Sequence, residues 1–320
     1  MKKCNIGLFK KAPPQDMHCA AYTDMRYGSH TRNTLDISIP QAASVGGVYN
    51  VILFIHGGIW MYGDKKNRPT FLDTFRDRLI VASMNHRYID EHTHFPDLVD
   101  DVSAAVAYIR EFCSQHNAGA KKLIIMGHSS GGHLSMLYAY QHHKTAPIPV
   151  AFCVSMAGPT DLSDLAYIYS FKKLGWIKLF YQTAEKATGY HPAEGDITEE
   201  GYSENALRLM SAISPLAFVA GDTPPTIIVH DVVDKIVPYA NSAALHSVFD
   251  VYGVDHCFIA LYSGIGHYLG AKTVKGGAGR YDKTVEARVV KAMNEYIAKY
   301  CDSVATALRA GALDSRAGAT

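Results

Sequence analysis

No apolar run in this 320-residue chain approaches the roughly 20 residues that a membrane span requires. An excess of either charge is also missing: 31 Lys and Arg stand against 30 Asp and Glu, a net charge of +1. That balance argues against a nucleic-acid partner and against a hold on an anionic membrane surface. Cysteines are few and scattered (Cys4, Cys19, Cys113, Cys153, Cys257 and Cys301), with no C-x-x-C pair and no metal-ligand spacing. The expectation is free thiols in a reducing, cytoplasmic compartment, with no metal and no cofactor. At the N-terminus, the apolar stretch Ile6 to Phe9 is interrupted by Lys10 and Lys11. It is too short for the roughly 7–15 apolar residues of a secretory signal, so export is not expected. There is no internal repeat and no low-complexity segment.

Present instead is an alternation of strand-like and helix-like stretches, which predicts a mostly parallel central sheet flanked by helices, the α/β class, in a single domain spanning 1–320. Strand signals fall at Leu35–Pro40, Tyr49–Ile55, Leu79–Asn85, Lys122–Met126, Pro149–Met156, Pro225–His230 and Cys257–Tyr262. Amphipathic spacing predicts a helix from Phe95 to about Phe112, with Val99, Val102, Val106 and Ile109 on one face. Further helices are expected behind Ser129, at Asn241–Tyr252 and at Val285–Tyr300. Thr160 to about Ser211 breaks the rhythm. It is rich in aromatics (Tyr167, Tyr169, Phe171, Trp176, Phe180, Tyr181 and Tyr190) that need burial. It reads as a helical cap inserted over the catalytic face, or as a longer packed crossover. The tail 302–320 is Ala/Gly-rich and expected to fray.

Two short segments carry chemistry. Gly127-His128-Ser129-Ser130-Gly131 fits the G-x-S-x-G nucleophile elbow, in which a strained strand-to-helix turn lifts a serine hydroxyl clear of the sheet. Upstream, His56-Gly57-Gly58 fits a glycine loop whose backbone N–H groups receive an oxyanion. A serine hydroxyl is a poor nucleophile at neutral pH. It needs a histidine base, and the base needs a carboxylate to fix its tautomer. Where such an elbow occurs the order is Ser, then Asp or Glu, then His. Asp234, before the Lys-Ile-Val-Pro turn, is the acid candidate ahead of Asp231. His267, on the glycine-flexed loop after Cys257–Tyr262, is the base candidate. The N–H groups of Gly57, Gly58 and Ser130 are the expected oxyanion hole. Gly127 and Gly131 support the elbow by close packing. His56 is expected to bond to backbone and hold the oxyanion loop, His128 to fill space beside Ser129, and His133 to be structural.

These residues together resemble the His-Gly-Gly-loop esterase/lipase branch of the α/β-hydrolase superfamily, over about residues 22–300. Tyr27-Gly28-Ser29-His30 with Leu35-Asp36-Ile37, and Asn85-His86-Arg87-Tyr88 with Phe95-Pro96 and Asp101, are similar to its first strands and helix. His56-Gly57-Gly58-Ile59-Trp60, then Gly63-Asp64-Lys65, is similar to the loop shared by small-acyl esterases and kynurenine formamidases. Asp231 departs from the pattern, where glycine is usual. It either alters the pH profile or points to solvent. The resemblance implies an α/β-hydrolase fold and a serine carboxylesterase acting on small to medium acyl esters. Trp60 and the aromatic insertion motivate an alternative, arylformamidase activity on an N-formyl amide. An esterase of plant polysaccharide is disfavoured by the missing export signal, and a silent binding module by the complete triad.

Overall fold

The computed structural model describes residues 19–302, apart from 176, 190–195, 199–200 and 274–278. The fraying expected of the tail concerns residues outside those described, save Asp302.

Strands β1 (Cys19–Arg26), β2 (Thr34–Pro40), β3 (Gly47–Ile55), β4 (Ile80–Met84), β5 (Ala118–His128) and β6 (Val150–Met156) precede two short strands, β7 (Ile197–Thr198) and β8 (Gly201–Tyr202). β9 (Thr226–Asp231), β10 (His256–Leu261), β11 (Lys272–Thr273) and β12 (Gly279–Arg280) follow. The helices are α1 (Phe95–Gln115), α2 (Ser130–His142), α3 (Leu165–Lys173), α4 (Ile177–Thr188), α5 (Glu204–Ala212), α6 (Tyr239–Tyr252) and α7 (Lys283–Tyr296). Eight strands form the main sheet in the order β1-β2-β4-β3-β5-β6-β9-β10. β2 runs antiparallel to both β1 and β4, and every other pair is parallel. This is the α/β sheet expected from the alternation of elements.

Strand β3 shows how the two sides of the sheet are filled. Val51, Leu53 and Ile55 belong to the core that holds Leu98, Val102, Leu134 and Leu245, so α1, α2 and α6 cover that face. Ile52 and Phe54 belong to the core of Val285, Val289 and Met293, so α7 covers the other. Side chains alternate across a strand, and a strand covered on both faces must be apolar at every position. That is why Tyr49–Ile55 reads as an unbroken apolar run.

Some boundaries differ from the sequence reading. β1 was not expected: it is an edge strand with mostly part-exposed side chains, so its composition carries little apolar signal. Helix α1 continues three residues past Phe112. α7 ends at Tyr296 and closes in a π-type turn, Ile297–Cys301. Between Thr160 and Ser211 lie α3, α4, the β7–β8 pair and most of α5. Among the aromatics there, Tyr167 is buried, whereas Tyr169 is 54% exposed and does not take the buried place expected of it. Trp176 and Tyr190 lie outside the described residues.

Candidate active site

Parallel strands deliver their C-terminal ends to one edge of the sheet, and the functional loops gather there. β5 ends at His128, Ser129 takes φ 54° and ψ −125°, and α2 begins at Ser130. A non-glycine residue in that conformation stores roughly 1–3 kcal/mol of strain, held by its surroundings. Here the Ser129 N–H donates to the Met156 carbonyl at 2.8 Å, and the His133 N–H donates to the Ser129 carbonyl at 3.1 Å. Backbones cross tightly around the turn. A Cβ on Gly127 would meet the Gly131 carbonyl carbon at 2.2 Å, and one on Gly131 would meet the Ile55 oxygen at 2.1 Å. Only glycine at both positions permits that crossing.

Ser129 Oγ lies 2.8 Å from His267 Nε2, so the hydroxyl can donate to the imidazole. His267 Nδ1–H donates to Asp234 Oδ2 at 2.7 Å. The acid is held on every side. His230 Nε2–H reaches the same Oδ2 at 3.0 Å, and the Ile236 and Val237 N–H groups donate to Oδ1 at 2.8 and 3.0 Å. Burial pushes the Asp234 carboxyl upward. The hydrogen bonds from His230 and His267, and the attraction of both imidazoles, outweigh it and hold the group well below the usual carboxylate range. Asp234 is therefore anionic at neutral pH, as an orienting acid must be.

His230 was not singled out from sequence. It closes an apolar strand run and is fully buried. Its Nδ1 accepts from Ser242 Oγ at 2.7 Å, and its Nε2–H is shared between Asp234 and the Val237 carbonyl at 3.0 Å. Asp231 does not point to solvent. It is fully buried and accepts from the Val233 N–H at 3.0 Å, Ser263 Oγ at 3.0 Å and the Ile265 N–H at 3.2 Å. It thus ties the end of β9 to the loop that carries His267. Nor does His128 merely fill space: its Nε2–H donates to the His267 carbonyl at 3.0 Å. Burial, then repulsion from His267, lowers its pKa to about 4, so it is neutral at physiological pH.

The His56-Gly57-Gly58 loop runs beside the elbow. A Cβ on Gly57 would sit 2.8 Å from the His128 carbonyl and 3.1 Å from Ser129 Cβ. Gly58 adopts φ +130°, and Ile59 and Trp60 follow with φ near +53° and +57°. This tight turn is closed by the Met61 and Tyr62 N–H groups on the Gly58 carbonyl. Among the described residues, the backbone N–H groups of Gly57, Gly58 and Ser130 donate to no other backbone carbonyl. His56 donates from Nδ1 to the Gly57 carbonyl at 2.9 Å and accepts at Nε2 from Arg32 at 3.3 Å. Burial, with His86 stacked on it at 4.6 Å, lowers its pKa to about 3. Arg32 also donates to the Gly63 and His86 carbonyls, bracing the loop from behind.

Ser129 opens onto a cavity of about 40 Å³. Trp60, Phe95, Tyr167, Met210, Ile213 and Val237 are among its walls. Trp60 is held edge-on to Phe95 and His133, with ring centres 5.1 and 5.2 Å away. His133 donates from Nε2 to the Ile213 carbonyl at 2.7 Å, which ties α2 to the segment after α5.

The match to known proteins agrees with this geometry. The BD-FAE family model matches residues 35–249. The Probable carboxylic ester hydrolase LipM of Mycobacterium tuberculosis is 26% identical over 226 residues, covering 67% of this chain and 48% of that protein. Esterase LipQ of the same organism is 25% identical over 242 residues, 72% of this chain and 53% of that one. The chain thus spans about half the length of these curated relatives. A truncated carbohydrate esterase from gut microbiota superposes with a TM-score of 0.65 at 23% identity, over 89% of this chain and 99% of that one. Esterase B from Lactobacillus Rhamnosis gives 0.67 at 18% identity, over 88% and 86%. No described helix is long and apolar enough to cross a membrane. With the strand order above, these likenesses establish the α/β-hydrolase fold, and the family match over two thirds of the chain means that it belongs to the BD-FAE family.

Proposed function

We propose that the chain is a serine carboxylesterase acting on short-chain acyl esters. The observation that carries this reading is the unbroken hydrogen-bonded line from Ser129 Oγ through His267 to Asp234. Ser129 attacks the ester carbonyl as His267 Nε2 takes its proton. The resulting imidazolium is held by the Asp234 carboxylate. The oxyanion rests on the N–H groups of Gly57, Gly58 and Ser130, helped by the positive end of α2. His267 then protonates the leaving alcohol, and later activates the water that releases the acid from Ser129.

Acyl preference follows from the cavity beside Ser129: its largely apolar walls suit a short acyl group such as acetyl or butyryl. The described segments between Thr160 and Ser211 act as a cap that supplies Tyr167 and Met210 to that wall. The esterase names of the curated relatives support an ester as substrate. Free thiols at Cys19, Cys113, Cys153, Cys257 and Cys301 support a reducing, cytoplasmic setting.

The test is initial rates on p-nitrophenyl esters from acetate to laurate, with Ser129→Ala beside the parent. The expected result is a maximum at acetate or butyrate and a loss of about 10³-fold or more in the variant. Equal rates in parent and variant would sink the triad. No ester turnover together with hydrolysis of an N-formyl amide would overturn the substrate class.

A further inference from the structure

Among the described residues, one cluster of ligand-bearing side chains stands apart from the Ser129 site: His246, Asp250 and His256. His246 and Asp250 are one turn apart on α6 and share a face. The helix ends at Gly253, in the left-handed region with φ +67°, and the chain turns back into β10, bringing His256 alongside. One ligand atom from each residue lies within 4.8 Å of those of the other two.

The tautomer of His256 is fixed. Its Nδ1–H donates to the Val254 carbonyl at 2.8 Å, so its Nε2 lone pair faces the cluster. This is the outer hydrogen bond that usually orients a metal-binding histidine. Nε2 meets Nδ1 of His246 at 2.5 Å, with an Asp250 carboxylate oxygen 3.7 Å away. The two nitrogens are closer than the roughly 2.7–3.2 Å of an ordinary nitrogen hydrogen bond. Two nitrogen ligands on a tetrahedral zinc ion stand roughly 3.3 Å apart, so a shift of less than about 1 Å would seat a cation between them. His246 and Asp250 are open to water, which can fill the remaining coordination position.

We propose that His246, Asp250 and His256 bind one Zn²⁺, or a borderline divalent cation of the same class such as Co²⁺, through two imidazole nitrogens and one carboxylate oxygen. The site lies at the start of β10, whereas His267 follows the far end of the same strand, so the two are separated by roughly 15 Å or more. The ion takes no part in ester hydrolysis. It clips the end of α6 to the start of β10, and stabilises the fold because it binds the folded chain alone.

The experiment titrates the intact, chelator-treated chain with Zn²⁺ by calorimetry, and with Co²⁺ by visible absorption. His246→Gln and Asp250→Asn are compared with the parent. Asp250 is exposed and His246 is half-exposed at the surface, so each variant should fold, which far-ultraviolet circular dichroism checks. The parent should bind one equivalent with a Kd in the micromolar range and melt higher in its presence. Each variant should bind at least about tenfold more weakly and lose the melting shift, with ester hydrolysis unchanged. Identical isotherms in parent and variants would place the metal on other histidines and overturn the site. So would the lack of saturable binding by the parent.

Discussion

His230 donates to the same carboxylate oxygen of Asp234 that receives His267, from 3.0 Å and one strand residue away from the acid's own loop. Asp234 is thereby held as an anion from two directions. His230→Leu should lower kcat about tenfold with little change in KM, and destabilise the fold by about 1–3 kcal/mol. His230→Gln, which keeps an N–H, should recover part of both. Losing the donor also raises the folded-state pKa of Asp234. Stability that depends on its ionisation is present above the unfolded carboxylate value and lost as pH falls through the folded one. In His230→Leu that loss should still begin near the unfolded carboxylate value but be smaller and complete at higher pH, as urea midpoints across pH would record.

Gly57→Ala tests the close approach of loop and elbow. Its Cβ would lie 2.8 Å from the His128 carbonyl, a backbone atom that cannot swing away. We expect kcat/KM to fall about 10²–10³-fold, the usual effect of displacing an oxyanion donor. Gly221→Ala is the matched control, since its Cβ would meet only the Tyr252 carbonyl at 3.7 Å. It should leave the rate unchanged.

Met210 and Ala184 face the cavity beside Ser129 and are buried. Met210→Ala should move the preferred acyl chain upward by about two carbons, at a stability cost of about 2–5 kcal/mol. Ala184→Leu should move it toward acetate. Relative kcat/KM across the p-nitrophenyl series reads both, and an unchanged profile would mean that the acyl group lies elsewhere.

Three buried histidines, with the half-buried His128, set the acid stability of the fold. Burial lowers His86, His128 and His133 to about 4, and His56 to about 3. Between those values and the ordinary pKa of about 6.5, the unfolded chain binds protons that the folded chain refuses. Stability therefore falls as pH drops through that window, by up to about 1.4 kcal/mol per pH unit for each histidine. Below about pH 4 the protonation of Asp234 adds a further loss. Urea midpoints should decline steadily from pH 7 to pH 4. A flat profile there would show that the four rings take up protons in the folded chain.

Much of this was legible before the structure, for physical reasons. Strands buried on both faces must be apolar throughout, so Tyr49–Ile55 and Pro149–Met156 announce themselves. The elbow needs glycine on both sides of its serine, so Ser129 is marked by its neighbours. The chain order of acid and base then leads to Asp234 and His267, which the fold brings to within a hydrogen bond of each other. His230, Asp231 and His128 were missed in their actual roles because each acts through a partner distant in sequence. Nothing local tells a buried carboxylate from a solvated loop aspartate, or a histidine bonded across 139 residues from one that fills a gap. The segment from Thr160 to Ser211 shows the same limit, with Tyr167 facing the cavity and Tyr169 facing water two residues later.

The hydrogen bond from His128 to the His267 carbonyl joins the residue before Ser129 to the backbone of His267. Elbow and base loop are therefore tethered by a contact that does not involve the reacting atoms. Local opening of one must break or strain the hold on the other, so the two segments should exchange their amide hydrogens as one cooperative unit with a single opening free energy. The Ser129–His267 geometry and local order then rise and fall together, and a substitution at His128 would be felt first in the motion of a loop far along the chain.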